Sequence, residues 1–271
     1  MTKTINALLW PDGAPGALGD AVEDKPDLTL YLPDGPGPFA CVVICPGGGY
    51  VRKARHEGEP IAHMLNRYGI AGAVVQYRVA PYRFPVPVMD AQRAVRLLRA
   101  RRAEWGIDAE HVGILGFSAG GHCAGMVATL GEPGAPAAAD PVDRESSRPD
   151  ALVACYAALT FRDRKLERCL RNLAEDAQGN LAADAFDFYS VETHVSPQTP
   201  PVFMWMTVDD PVVPVENSLV MAAALREHRV PFALHLFPHG RHGLGLGTGE
   251  DLPLVEQWSD LCGNWLKTLG F

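Results

Sequence analysis

An α/β fold with a mainly parallel sheet is predicted for this chain, and three observations predict it. Short apolar runs of strand length alternate with helical stretches through most of the 271 residues. Several of those runs, Phe39–Cys45 and Ala71–Val79 among them, are apolar throughout rather than at every second position, as strands covered on both faces must be. Finally, the apolar run ending at Phe117 passes through Gly116-Phe117-Ser118-Ala119-Gly120 directly into a small-residue helix, which is the strand, sharp turn and helix of a nucleophile elbow. A hydrophobic content of 47% is enough to bury one large core, so residues 1–271 are expected to form a single domain.

In chain order, residues 1–26 are rich in Gly, Pro and Asp, carry Trp10 and Pro11, and read as an ordered arm rather than a strand. Leu28–Leu32 alternates as a short strand, and the Pro33–Pro38 turn leads into Phe39–Cys45. These two are expected to be antiparallel entry strands. Glu59–Tyr68 has Ile61, Met64 and Leu65 at helical spacing and stops at Gly69. Pro85–Trp105 places Val88, Ala91, Val95 and Leu98 on one face. Arg93, Arg96, Arg99, Arg101 and Arg102 fall mostly on the other, which reads as a solvated face. After the elbow strand (His111–Phe117) and its helix (to Leu130), residues 131–149 lack periodicity and form a surface loop. Ala151–Ala157 is a strand, and 161–200 is an insertion of charged and helical composition, expected to form a small lid. Pro201–Val208, Val215–His228 and Phe232–Phe237 read as strand, helix and strand. In Leu254–Leu269 a helix puts Trp258, Leu261, Cys262, Trp265 and Leu266 toward the sheet.

The net charge of -8, with no basic cluster, excludes a nucleic-acid backbone as the expected partner. No apolar run has the length of a membrane span or, near the start, of a signal peptide. The expectation is a soluble, cytoplasmic protein with no membrane partner, a secreted one that has lost its leader being the alternative. None of the six cysteines forms a metal-spaced pair, so they read as reduced thiols, mostly in the core, and no metal or organic cofactor is expected.

A serine hydroxyl is a weak nucleophile, and Ser118 needs a histidine base oriented by a carboxylate, in the chain order Ser, Asp, His for this kind of fold. His242, in the glycine-rich loop after the last strand, is the chosen base, with His239 as fallback. Asp209 and Asp210 follow a buried strand, and either can serve as the acid. Pro46-Gly47-Gly48-Gly49-Tyr50 also follows a buried strand. Its Gly48 and Gly49 amides, with that of Ala119, are suited to an oxyanion hole, and Tyr50 is expected to touch substrate. A phosphate-binding loop is the competing reading of those glycines, but no Gly-Lys-Ser/Thr is present.

These pieces together resemble the α/β-hydrolases, and within them the bacterial acetylxylan esterase group related to the hormone-sensitive lipases. The likeness covers roughly residues 28–270, on Pro46–Tyr50, Gly116–His122, Asp210–Pro214 and His242-Gly243. In such families the acid stands four residues before the proline of an Asp-x-x-Val-Pro run, which implies Asp210 rather than Asp209. Pro46 replaces the histidine of the lipase-like His-Gly-Gly-Gly motif, which favours the sugar-esterase branch, and Glu57-Gly58-Glu59-Pro60 resembles that branch too. The resemblance implies ester hydrolysis through an acyl-enzyme, with a small acetylated oligosaccharide as the expected partner. A general carboxylesterase or other acyl hydrolase, such as an arylformamidase or peptidase, competes with it. A non-catalytic hydrolase-fold receptor is disfavoured, because all three candidate residues are kept. The sequence does not set oligomeric state.

Overall fold

The computed structural model of the chain describes residues 3–249 and 251–271. Its strands are β1 (Lys3–Leu8), β2 (Asp27–Leu32), β3 (Phe39–Cys45), β4 (Ala71–Val75), β5 (Ile107–Phe117), β6 (Leu152–Cys155), β7 (Val202–Thr207) and β8 (Phe232–Phe237). Its helices are α1 (Glu59–Asn66), α2 (Val86–Ala100), α3 (Arg102–Trp105), α4 (Ser118–Leu130), α5 (Glu167–Ala174), α6 (Ala185–Phe188), α7 (Glu216–Glu227), α8 (Pro253–Glu256) and α9 (Trp258–Thr268). The strands form one sheet in the order β1-β2-β4-β3-β5-β6-β7-β8, parallel from β4 to β8 and antiparallel at β1 and β2.

Both sheet faces are dry, and the alternation within single strands shows why their sequences are apolar throughout. Cys41, Val43 and Cys45 of β3 point into the core shared with α2, α4 and α7, while Val42 and Ile44 point into the core shared with α1 and α9. The last helical stretch is divided at Gln257. Trp258, Cys262 and Leu266 are buried there, and Trp258 stacks on Trp205 of β7 at 5.0 Å and 20°. Leu261, expected on that inner face, is 38% exposed. None of the six cysteines is in a disulfide, and five are buried. Among the described residues no helix is long and apolar enough to cross a membrane.

Three expectations change. Part of the N-terminal arm is a strand: in Lys3–Leu8 only Ile5 and Ala7 turn toward the core, and the segment caps the open edge of β2. The Gly, Pro and Asp richness belongs to the residues after it and masks its short alternation. In those later residues Trp10 packs against the guanidinium groups of Arg78 and Arg93, 5.6 and 5.4 Å from its ring centroid. Second, β2 and β3 do not pair, because β4 lies between them, antiparallel to β2 and parallel to β3. Third, the α2 arginines are not all solvated: Arg93 and Arg99 are buried, Arg93 on Asp140 and Asp143 and Arg99 on Asp150. They fasten the 131–149 loop, Arg93 through Asp140 and Asp143 within it and Arg99 through the Ser146 and Arg148 carbonyls beside Asp150, and these acids supply the countercharges that a buried guanidinium requires.

Candidate active site

Ser118 stands where β5 ends and α4 begins, at φ +52°. That left-handed conformation is strained for a residue with a side chain and lifts the hydroxyl out of the turn. Strand and helix can meet there only because two neighbours lack side chains. A Cβ on Gly116 would lie 2.1 Å from the Gly120 carbonyl oxygen, and one on Gly120 would lie 2.1 Å from that of Cys45.

The loop after β8 brings His242 to this serine. His242 Nε2 is 2.8 Å from Ser118 Oγ, and Nδ1 is 2.7 Å from Asp210 Oδ2. A carboxylate only accepts, so Nδ1 carries the proton, and Nε2 is left to accept from the serine hydroxyl. Asp210 is itself fixed, with Oδ1 receiving the amides of Val212 and Val213 at 2.8 and 3.0 Å. The fallback pair lies alongside: His239 Nδ1 is 2.9 Å from Asp209 Oδ2, exposed and apart from the serine. The structure thus brings together Ser118, His242 and Asp210, and leaves His239 and Asp209 to each other.

The oxyanion candidates sit on the other side of the hydroxyl. Among the described residues no protein acceptor takes the amide hydrogens of Gly48, Gly49 or Ala119, whereas the Gly47 amide donates to Glu57 Oε2 at 2.7 Å. The loop turns sharply at Gly48, φ +138°, where a Cβ would lie 2.3 Å from the Arg52 carbonyl oxygen.

Tyr50, expected to touch substrate, does not line the cleft. It is fully buried, and its hydroxyl donates to His122 Nδ1 at 2.6 Å. His122 Nε2 donates to the Tyr189 carbonyl at 2.7 Å, and burial drives the imidazole's pKa down to about 4, so the ring is neutral. The apolar body of Tyr50 explains its position: in a tightly closed turn the ring packs inward, and its one polar atom needs a buried acceptor. Tyr50 therefore ties the glycine loop to α4 from behind.

Glu57, Tyr156 and His122 have structural roles at the site that the sequence did not reveal. Glu57 is buried, and its second oxygen accepts from the Tyr156 hydroxyl at 2.7 Å. Tyr156 in turn accepts the Gly245 amide at 2.8 Å and lays its ring edge-to-face on His242 at 5.1 Å. One carboxylate thereby braces both the glycine loop and the histidine loop. The Glu57–Pro60 run was the one available signal for this, and nothing local marks Tyr156.

The groups open into a cleft of about 760 Å³, walled by Gly48, Gly49, Ser118 and His242 and by Leu166, Cys169 and Asn172 of the 161–200 insertion. Asn172 on α5 donates to the Gly49 carbonyl at 2.8 Å, so the insertion is fastened to the glycine loop as a wall of the site. Among the described residues no group of three or more His, Cys, Asp or Glu is placed to hold a metal.

Residues 28–225 match the profile of one protein family, BD-FAE. The chain belongs to the BD-FAE family. It is also similar to the crystal structure of an acetyl ester-xyloside bifunctional hydrolase from Caldicellulosiruptor lactoaceticus. The two are 42% identical with a TM-score of 0.92, over 98% of this chain and 97% of that one. An endo-1,4-beta-xylanase B of Butyrivibrio fibrisolvens is 34% identical over 83% of this chain and 35% of its own length. An acetylxylan esterase of Xylanibacter ruminicola is 31% identical over 91% and 49%. The chain thus spans between about a third and a half of the length of these two curated relatives. The α/β-hydrolase fold is shared.

Proposed function

We propose that this BD-FAE protein is a serine esterase that removes small acyl groups, chiefly acetyl, from xylan-derived oligosaccharides. The observation that carries the reading is the unbroken hydrogen-bonded line from Asp210 through His242 to Ser118, ending beside uncommitted amides.

Ser118 Oγ attacks the ester carbonyl carbon while its proton passes to His242 Nε2. The imidazolium so formed is stabilised by Asp210. Negative charge on the carbonyl oxygen is received by the Gly48, Gly49 and Ala119 amides, and removing one donor from such a hole typically costs roughly 2.7–4 kcal/mol. The intermediate collapses, the alcohol leaves with the proton from His242, and acetyl-Ser118 remains. Water then attacks with His242 as base, and acetate departs. The step needs no reorganisation of the donors, because Glu57 and Asn172 already hold the glycine loop.

The substrate class rests on the Pro46–Tyr50 loop and on what the relatives are named for, and the cleft wall sets Arg52, Asn172, Lys165 and Arg168 among its apolar residues. A long acyl groove would add about 0.8 kcal/mol for each methylene it buries. The expected trend is therefore opposite, with kcat/KM falling from p-nitrophenyl acetate through butyrate to octanoate, and acetate released from acetylated xylo-oligosaccharides. A maximum at octanoate, or sugars left acetylated, would return the chain to the general carboxylesterases.

A further inference from the structure

We propose that the cleft selects esters whose alcohol half carries a carboxylate. Under the deacetylation reading above, on which this rests for the natural substrate, that means an acetylated oligosaccharide bearing a uronic acid. The observation is a concentration of uncompensated positive charge at the mouth of the site, on a chain of net charge -8.

Arg52, Lys165 and Arg168 all line the cleft and are exposed. Among the described residues none of the three has an ion-pair partner, whereas the buried Arg78, Arg93 and Arg99 are all paired, so the cleft cations stay available to a ligand. The one carboxylate lining the cleft, Glu57, is committed to the Gly47 amide and the Tyr156 hydroxyl. That single buried acid faces three cations in the wall, and none of them is ion-paired to it.

Their placement is set by the same contacts that shape the oxyanion loop. Arg52 follows that loop directly, its amide donating to the Gly48 carbonyl at 3.3 Å. Lys165, Arg168 and Asn172 are spaced three and four residues apart along one side of α5 and the turn before it, and Asn172 fixes that side against Gly49 at 2.8 Å. The cations therefore border the reacting centre from two segments. Guanidinium groups match carboxylates in a two-pronged geometry, and exposed charges act over roughly 8–10 Å at physiological salt, about the span of one or two sugar units. The charge belongs on the alcohol half because an acetyl group has no ionisable atom to offer.

The test uses aryl acetates that differ in one charge, 4-acetoxybenzoate and 4-acetoxybenzamide, with the monoanion of p-nitrophenyl succinate as the acyl-half control. In wild type at low salt, kcat/KM for the benzoate should exceed that for the benzamide by about fivefold, and high salt should erase the difference. The ratio should fall through one in Lys165→Glu/Arg168→Glu and in Arg52→Glu, and take an intermediate value in Lys165→Gln/Arg168→Gln. Acetate release from acetylated xylo-oligosaccharides with and without a uronic acid should follow the same order. A ratio near one in wild type, a ratio unmoved by charge reversal, or a preference for the succinate alone would overturn the proposal. If the aryl pair is discriminated but neither sugar is deacetylated, the charge selection stands and the oligosaccharide reading falls.

Discussion

Two aspartate–histidine pairs lie side by side beyond β7 and β8, and they differ in almost everything except their hydrogen bond. Asp209–His239 and Asp210–His242 close at 2.9 and 2.7 Å, through the same Nδ1 and the same Oδ2. The side chains of the first pair are 51% and 80% exposed, those of the second 1% and 17%. The first carboxylate also takes the Gly240 amide and so closes its loop. The second holds an imidazole whose far nitrogen reaches Ser118. A carboxylate–imidazole contact is therefore not a site in itself. What separates the two is exclusion of water, which strengthens the charge stabilisation, and a third group whose proton the imidazole can take.

The largest expected effect tests whether that third group is the nucleophile. Ser118→Ala should lower kcat by roughly 10⁵-fold or more while the far-ultraviolet spectrum and melting temperature stay near wild type. Unchanged kinetics would sink the assignment. His242→Ala should come within about tenfold of the serine loss, whereas His239→Ala should cost less than about threefold in kcat/KM. A reversed ranking would make the exposed pair the working one. Between the acids, Asp210→Asn should cost roughly 10³–10⁴-fold and Asp209→Asn less than about threefold, read from p-nitrophenyl acetate turnover. Equal losses would mean that burial does not decide the matter.

A third imidazole sharpens the contrast from the other side. His122 is fully buried with Tyr50 and has no carboxylate, and burial lowers its pKa from 6.5 to about 4. Between those two values the unfolded chain binds a proton that the folded one refuses. Stability should therefore fall as pH drops from 6.5 toward 4, by about 3 kcal/mol from this group alone, and should be insensitive to it above and below. Urea midpoints across that range should show the slope in wild type and a shallower one in His122→Gln. Identical slopes would exclude the buried ring as the source.

A smaller effect than the triad losses concerns the brace between the two loops. Glu57→Gln keeps an oxygen for the Gly47 amide but turns an NH₂ toward Tyr156. We expect kcat to fall about tenfold with KM nearly unchanged, since the loss concerns alignment of the donors in the transition state. A loss confined to KM would assign Glu57 to substrate binding instead.

The elements that periodicity marked clearly were legible, and the reasons are local. β3, β4 and β7 are continuous apolar runs because both faces are covered, and the Gly116–Gly120 elbow is readable because no other residues survive a 2.1 Å approach. The short edge strand Lys3–Leu8 was hidden because an edge strand needs only two inward residues, and its partners run from Leu32, opposite Lys3, to Asp27, opposite Leu8, far outside any local window.

By itself the sequence determined the alternation of strand and helix, the serine at the turn, and the glycines that a donor loop demands, since each is a constraint on a few consecutive residues. Only the tertiary structure decided which imidazole met which carboxylate, that Tyr50 faced inward to His122, that Arg93 and Arg99 were buried on a distant loop, and that Glu57 and Tyr156 braced the site. Those outcomes depend on burial and on partners 30 to 99 residues apart. A side chain's charge, exposure and hydrogen-bond partner belong to the packed neighbourhood, and no short window of sequence contains it.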